Sequence, residues 1–120
     1  MRVAFVHDAV LGMEHDADLA GPGGAVTLAL CGAFAHLPPC PLAPHHTRAD
    51  RRGDDAVAVR VLFAADPAAE SAVRSRIDAA LAAGFCDGPG GARTRWTLRT
   101  SAPGVVDASE RAHAARLGAN

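Results

Sequence analysis

The chain has 120 residues and a formal net charge of −1, so its overall field favours neither nucleic acid nor an anionic membrane as a partner. The length fits one domain with a modest core, because 49% of the residues are hydrophobic but only 4% are aromatic. No apolar run approaches the roughly 20 residues of a membrane-spanning helix, and residues 3–6 are too few for a signal peptide. A cytoplasmic protein is expected, and three cysteines in that reducing compartment favour thiols or metal ligands over a disulfide framework.

The first part of the chain predicts two strands. Residues 2–8 have the composition of a short buried strand, although residues 1–20 are also compatible with a poorly ordered leader ahead of a core at residues 25–117. Residues 13–20 are polar and acidic, and Gly21-Pro22-Gly23-Gly24 predicts a turn. Residues 25–31 alternate larger and smaller side chains, which predicts a second strand.

The remainder predicts a strand, a helix, a strand and a helix. Residues 47–55 are charged and predict a solvated connection, and residues 56–64 are the clearest strand. Asp66 and Pro67 predict the start of a helix that ends near residue 83, before Gly84. Residues 92–100 predict a strand, and Asp107 and Glu110 have the capping-box spacing that starts a terminal helix.

These elements predict an α+β fold in a single domain over residues 1–120. The expected architecture is a small three- or four-stranded sheet with two helices on one face. A ferredoxin-like variant is one alternative, in which a long Cys/His/Pro loop replaces the first crossover helix of that fold.

Cysteine, histidine and proline are concentrated between residues 31 and 46, where the spacing is Cys-x4-His-x3-Cys-x4-His-His. Thiolate and imidazole are the ligands that zinc prefers, and four of them complete a tetrahedron. The predicted ligands are Cys31, His36, Cys40, His45 and His46, the last two being alternatives for one position. The spacing matches no zinc-finger class, so two other interpretations stay open: proline-braced packing with buried cysteines, and a Cys31–Cys40 disulfide or redox pair.

The same segment resembles one found in short actinobacterial proteins to which no activity is assigned. The matching residues are Cys31-Gly32, His36, Pro39-Cys40-Pro41 and Pro44-His45-His46-Thr47. All twelve cationic residues are arginine, a bias typical of a GC-rich genome. The resemblance implies a source and a fold unit extending to Gly84, and it implies no activity.

The remaining motifs give weaker indications of function. The Gly-Pro-Gly-Gly segments precede predicted strands and lack the features of a phosphate loop. Arg93, Arg95 and Arg99 share one face of a predicted strand, which indicates a solvated face or a surface for an acidic protein partner. No serine lies in a nucleophile-elbow motif, and only Asp16 or Asp18 offers a general base for a metal-dependent enzyme.

The sequence therefore predicts a zinc-binding module that serves in interaction or regulation. Its partner would be an unidentified protein or a small ligand. We assign no residue a catalytic role. One alternative is a small ligand-binding or metal-dependent enzymatic domain that uses the histidine loop. Another is a metal-free α+β domain that forms a homodimer through its alanine-rich helix.

Overall fold

The computed structural model describes residues 1–32, 43–88 and 90–119, and within these ranges the chain forms a four-stranded sheet, a two-stranded hairpin and three helices. The strands are β1 (Val3–Gly12), β2 (His45–Arg51), β3 (Ala56–Ala65), β4 (Phe85–Asp87), β5 (Arg93–Arg95) and β6 (Thr97–Gly104). The helices are α1 (Ala20–Cys31), α2 (Glu70–Ala83) and α3 (Arg111–Gly118). None of these described helices has the length and apolar character needed to cross a bilayer.

The sheet has the strand order β2-β3-β1-β6, and neighbouring strands are antiparallel. The succession β1-α1-β2-β3-α2-β6 is the β-α-β-β-α-β arrangement of ferredoxin-like folds. The hairpin β4–β5 lies between α2 and β6 along the chain, and α3 follows β6. The predicted α+β class, with two helices on one face of a small sheet, is confirmed. The predicted variant, in which a Cys/His/Pro loop replaces the first crossover helix, is wrong, because α1 occupies that place.

Side chains alternate between the two faces of the sheet. On one face, Val59, Val61 and Phe63 of β3 pack with Val26 of α1 and Ile77 of α2 in the main core. On the other face, a smaller cluster joins the sheet to α3, and it contains Val6, Leu62, Ala64, Ala114 and Leu117. The sheet is therefore covered by α1 and α2 on one side and partly by α3 on the other.

The first crossover helix is present, so the predicted turn at residues 21–24 and strand at residues 25–31 are wrong. Pro22 is tolerated in α1 because it lies in the first turn, where the backbone N–H has no partner within the helix. Val26 and Leu30 are buried at helical spacing, whereas Leu28, which a strand would bury with them, is 38% exposed. Gly21 permits a close approach to β5, since a Cβ there would lie 2.7 Å from Thr94 Cβ.

The predicted solvated connection at residues 47–55 is also wrong over residues 47–51, which belong to β2. This strand is at the edge of the sheet and pairs with β3 alone among the described strands. An edge strand presents many of its side chains to solvent, so charged residues such as Arg48 and Asp50 do not prevent pairing. Residues 3–12, which were also compatible with a poorly ordered leader, form β1 between β3 and β6.

The predicted strand at residues 56–64 and the helix beginning near Pro67 are confirmed. A 3-10 turn at Pro67–Ala69 precedes α2, and the Asp66 side chain caps it by accepting the Ala68 N–H. The predicted strand at residues 92–100 is divided at Trp96 into β5 and β6, and β6 continues to Gly104 because it pairs with β1. The Asp107–Glu110 capping box precedes α3 as predicted.

Candidate functional site

The described ends of the predicted metal loop lie close together. Cys31 ends α1 and is buried, and its Sγ lies 3.7 Å from Nδ1 of His45, the first residue of β2. His45 Nδ1 is also 3.2 Å from the carbonyl oxygen of Ala43, so that nitrogen carries the proton and donates it. Nε2 then accepts the Thr27 hydroxyl at 3.1 Å. These contacts attach the His45 ring to α1 beside Cys31.

Cys31 is disulfide-bonded, whereas the composition favoured thiols. A disulfide sulfur is not a thiolate, and zinc binds cysteine as the thiolate. Zinc binding through Cys31 therefore requires the reduced state of the protein.

His45 and His46 are separated by the sheet. They are successive residues of one strand, so their side chains project from opposite faces. The His46 ring packs against His113 of α3, with ring centroids 4.8 Å apart. Of the two alternatives for one ligand position, the structure places His45 beside Cys31 and His46 beside His113.

His36 and Cys40, the other two predicted ligands, lie outside the described residues. Within residues 1–32, 43–88 and 90–119, no three His, Cys, Asp or Glu side chains are grouped closely enough to hold a metal ion. The zinc site stays a prediction.

A second polar site, which the sequence analysis missed, surrounds His7 of β1. The His7 side chain is only 5% exposed. Its Nδ1 accepts a hydrogen bond from Arg74 Nη1 at 3.1 Å, and its Nε2 lies 2.7 Å from Ser101 Oγ. The ring lies at one end of a groove of about 570 Å³ between α2 and β6. A histidine within the otherwise apolar run of residues 3–6 and 9–11 was the signal available in the sequence.

The hydrogen bonds of His7 determine its tautomer. A guanidinium only donates, so Nδ1 is the acceptor and Nε2 carries the proton of the neutral ring. Nε2–H therefore donates to Ser101 and is not available to accept the serine proton. In this arrangement, His7 does not activate Ser101 as a general base activates a nucleophile.

Burial lowers the pKa of His7 below its ordinary value of 6.5, and the Arg74 guanidinium lowers it further, against the smaller opposing effects of Asp78 and Asp8. The unfolded chain therefore binds a proton at this residue at higher pH than the folded chain does. The stability contributed by neutral His7 is present above the unfolded pKa of 6.5 and is lost as the pH falls through the lower folded pKa.

We expect the free energy of unfolding to decrease when the pH is lowered from about 7.5 to about 5. His7→Gln should reduce this decrease, because the glutamine does not titrate. Urea unfolding followed by circular dichroism at several pH values measures the effect. The exposed His15 is the control, and His15→Gln should retain the decrease of the parent chain. An unchanged pH dependence in His7→Gln would contradict the assignment.

An open cleft of about 1210 Å³ lies between the β1–α1 loop and the β4–β5 hairpin. Carboxylates from the β1–α1 loop and from the β2–β3 turn line it: Glu14, Asp16, Asp18 and Asp55. Guanidiniums from the hairpin and from β6 line it as well: Arg93, Arg95 and Arg99. The sequence analysis identified the acidic segment and the arginines separately, and only the fold brings them to one cleft.

Some of these charges are already paired. Arg99 bonds Asp55 at 3.1 Å, Arg93 bonds Asp87 at 2.7 Å, and Asp18 accepts the Ala20 N–H at the start of α1. Arg95 forms no salt bridge with any described residue, and its side chain is exposed. Glu14 and Asp16 are likewise exposed and form no salt bridge within the described part of the chain. The cleft therefore offers charges of both signs to a ligand.

The buried part of the cleft contains Cys86 and Trp96. Cys86 is a free cysteine that is 5% exposed, and burial, followed by the charge of Asp87, raises the pKa of its thiol. A thiol with a raised pKa is a poor nucleophile at neutral pH. Trp96 is 6% exposed and donates its indole N–H to the Leu81 carbonyl oxygen at 2.8 Å. These residues contribute packing to the cleft.

Comparisons of the chain with protein-family models, with curated proteins and with solved structures each return no match.

Proposed function

We propose that the chain is a cytoplasmic regulatory module that binds a short zwitterionic peptide in the cleft between the β1–α1 loop and the β4–β5 hairpin. The observation that carries this proposal is one cavity of about 1210 Å³ lined by exposed charges of both signs, Arg95, Glu14 and Asp16, which form no salt bridge with a described residue. The ligand carboxylate would meet Arg95, and its ammonium group would meet Glu14 and Asp16. A volume of this size exceeds the typical 300–1,000 Å³ of drug-sized ligand pockets, which favours a peptide over a single small metabolite.

The acidic side of the cleft is held in place by β2. Arg51 donates to the carbonyl oxygens of Met13 at 3.1 Å, Glu14 at 2.9 Å and His15 at 3.3 Å. These bonds order the β1–α1 loop before a ligand arrives. Preorganisation of this kind reduces the entropy lost on binding and supports a binding role for the cleft.

The chain contains one tryptophan, and it lines the cleft, so Trp96 fluorescence is the probe for binding. We expect a saturable fluorescence change with members of a panel of dipeptides and tripeptides, weakened by added salt. Arg95→Glu should weaken binding at least tenfold, equivalent to about 1.4 kcal/mol. Arg111→Glu, a charge reversal at an exposed position of α3, is the matched control and should bind as the parent does.

Three results would contradict the proposal. These are no saturable binding by any peptide in the panel, equal binding by parent and Arg95→Glu, and equal weakening by Arg111→Glu. Binding of N-acetylated peptides as tightly as free ones would exclude the role of Glu14 and Asp16.

A second candidate function is the zinc-binding module, and one observation favours it. Cys31 Sγ and His45 Nδ1 are 3.7 Å apart, and these are two of the predicted ligands. In the reduced protein the Cys31 thiolate would supply one zinc ligand, and the His45 imidazole would supply another in the tautomer whose Nδ1 carries no proton. The remaining predicted ligands, His36 and Cys40, lie outside the described residues.

Metal analysis of protein purified under reducing conditions without a histidine tag tests the zinc candidate. We expect one equivalent of zinc that is lost in Cys31→Ser and in Cys40→Ser. Cys86→Ser is the matched control, because Cys86 lines the cleft and is not one of the predicted ligands, and it should retain zinc. A reduced parent protein without zinc that takes up none when zinc is added would contradict the candidate.

A further inference from the structure

His46 and His113 form a pair of imidazoles that the predicted zinc loop does not include. His46 lies on the edge strand β2 and is exposed, and His113 lies on α3 and is partly exposed. Their ring centroids are 4.8 Å apart and their planes are inclined at 53°. The pair therefore joins two elements that are distant in sequence, and solvent reaches it.

The spacing of the two rings matches the requirement of one shared metal ion. Zinc–imidazole bonds are about 2.0–2.1 Å long, so two imidazoles on one ion at a tetrahedral or right angle have centroids about 5 Å apart. The observed 4.8 Å is close to this separation. The separation of the two rings is therefore compatible with one nitrogen of each ring binding the same ion.

The Glu110 carboxylate is already bonded to Arg60, at 2.7 Å, and we do not count it as a ligand.

We propose that His46 and His113 form a two-imidazole site for a divalent transition metal ion such as Zn²⁺, with water completing its coordination, and that the ion fastens α3 to the edge strand β2. Imidazole suits zinc, copper and nickel, whereas magnesium and calcium prefer oxygen ligands. The site lies on the face of the sheet opposite to Cys31 and His45, so it is separate from the predicted zinc loop. Neither histidine lines the cleft assigned to peptide binding.

Fastening α3 has a structural consequence. The apolar cluster under this helix is small, with Ala114 and Leu117 contacting Val6, Leu62 and Ala64. Three of the five are alanine or valine, whose side chains bury less area than those of leucine. A metal ion bound to His46 and His113 would hold the helix on these side chains.

Thermal unfolding of metal-free, oxidised protein with added Zn²⁺ tests the proposal, with Mg²⁺ as the control ion. At a Zn²⁺ concentration about 100-fold above its Kd, the ratio of folded to unfolded protein should rise about 100-fold, while Mg²⁺ should have no effect. His46→Ala and His113→Ala should each reduce the effect of Zn²⁺ at least tenfold. His45→Ala, at the neighbouring position on the other face, is the matched control and should retain it.

Circular dichroism without metal establishes that each variant is folded before the comparison is made. The proposal is overturned if Zn²⁺ does not stabilise the parent chain, or if both His46→Ala and His113→Ala respond to Zn²⁺ as the parent does. Loss of the effect in His45→Ala alone would also overturn it, because the ion would then be at the Cys31 side of the sheet.

Discussion

Replacing Trp96 with alanine is expected to lower the free energy of unfolding by about 3–5 kcal/mol, the range for truncation of a large buried aromatic side chain. Trp96 is 6% exposed and joins the start of β6 to the end of α2. Its indole N–H donates to Leu81 at 2.8 Å, and its backbone N–H donates to Gly84 at 2.9 Å. The loss is a large fraction of the 5–15 kcal/mol that stabilises an ordinary domain.

Two variants separate the contributions of Trp96. Trp96→Phe keeps most of the packing but removes the indole donor to Leu81, so we expect a smaller loss of about 1 kcal/mol. Phe85→Ala removes an aromatic side chain that is 40% exposed, and its cost should be within about 1 kcal/mol. Urea unfolding followed by circular dichroism measures all three, since the variants at position 96 lack tryptophan fluorescence. A cost for Trp96→Ala no larger than that for Phe85→Ala would contradict the prediction.

Replacing Arg60 with alanine is expected to be the other large loss, because this side chain connects β3 to β1 and to the start of α3. Arg60 Nη1 lies 3.0 Å from both carboxylate oxygens of Asp8, and Nε lies 3.0 Å from Glu110 Oε2. Arg60 also donates to the carbonyl oxygen of Val105. The side chains of Arg60 and Glu110 are 17% and 14% exposed, so removal of the guanidinium leaves a mostly buried carboxylate without its main partner.

We expect Arg60→Ala to cost about 2–3 kcal/mol, below the 3–5 kcal/mol of a fully buried pair because the Asp8 side of the network is partly solvated. The variant should also change how the free energy of unfolding depends on pH below about pH 4.5. The hydrogen bond from Arg60 lowers the pKa of Glu110 from 4.5 to about 2, so its contribution is present above pH 4.5 and is lost as the pH falls towards 2. In Arg60→Ala this acid-dependent loss should be smaller than in the parent chain.

Unfolding of parent and Arg60→Ala by urea at several pH values tests both expectations. Glu110→Gln should show the same reduced acid dependence, because it removes the group that titrates. Arg93→Ala is the matched control, since Arg93 pairs with Asp87 on the exposed hairpin, and it should change stability little. If the free energy of unfolding of Arg60→Ala fell as steeply with acid as that of the parent, Arg60 would not be the cause of the lowered Glu110 pKa.

Local patterns in the sequence determined the elements whose signals are contained within one segment. The alternation of Val57, Val59, Val61 and Phe63 identifies β3 because a strand buried mainly on one face repeats every two residues. Asp66, Pro67 and Gly84 delimit the 3-10 turn and α2 because helix ends need capping groups close in sequence. The same holds for the capping box before α3.

The tertiary structure decided the elements whose local signals were ambiguous. Val26, Leu28 and Leu30 satisfy a strand pattern, and Val26 and Leu30 also satisfy a helical one, so only packing against α2 and the sheet selects α1. The residues of β2 are largely charged or polar, so their local pattern does not indicate a strand. Their strand conformation depends on pairing with β3, which is distant contact information that a local pattern does not contain. Tertiary contacts outweigh local propensity here because burial and sheet pairing contribute more free energy than propensity does.

The candidate sites also depended partly on the sequence and partly on the tertiary structure. The sequence by itself identified the residue types that bind metals and the charged segments that line the cleft, because these are properties of single side chains. Only the tertiary structure placed His45 beside Cys31 and His46 beside His113, since the alternation of a strand sends neighbouring side chains to opposite faces. The tertiary structure also brought Arg74 and Ser101 to His7. These residues are far apart in sequence, and their contacts depend on the arrangement of β1, α2 and β6.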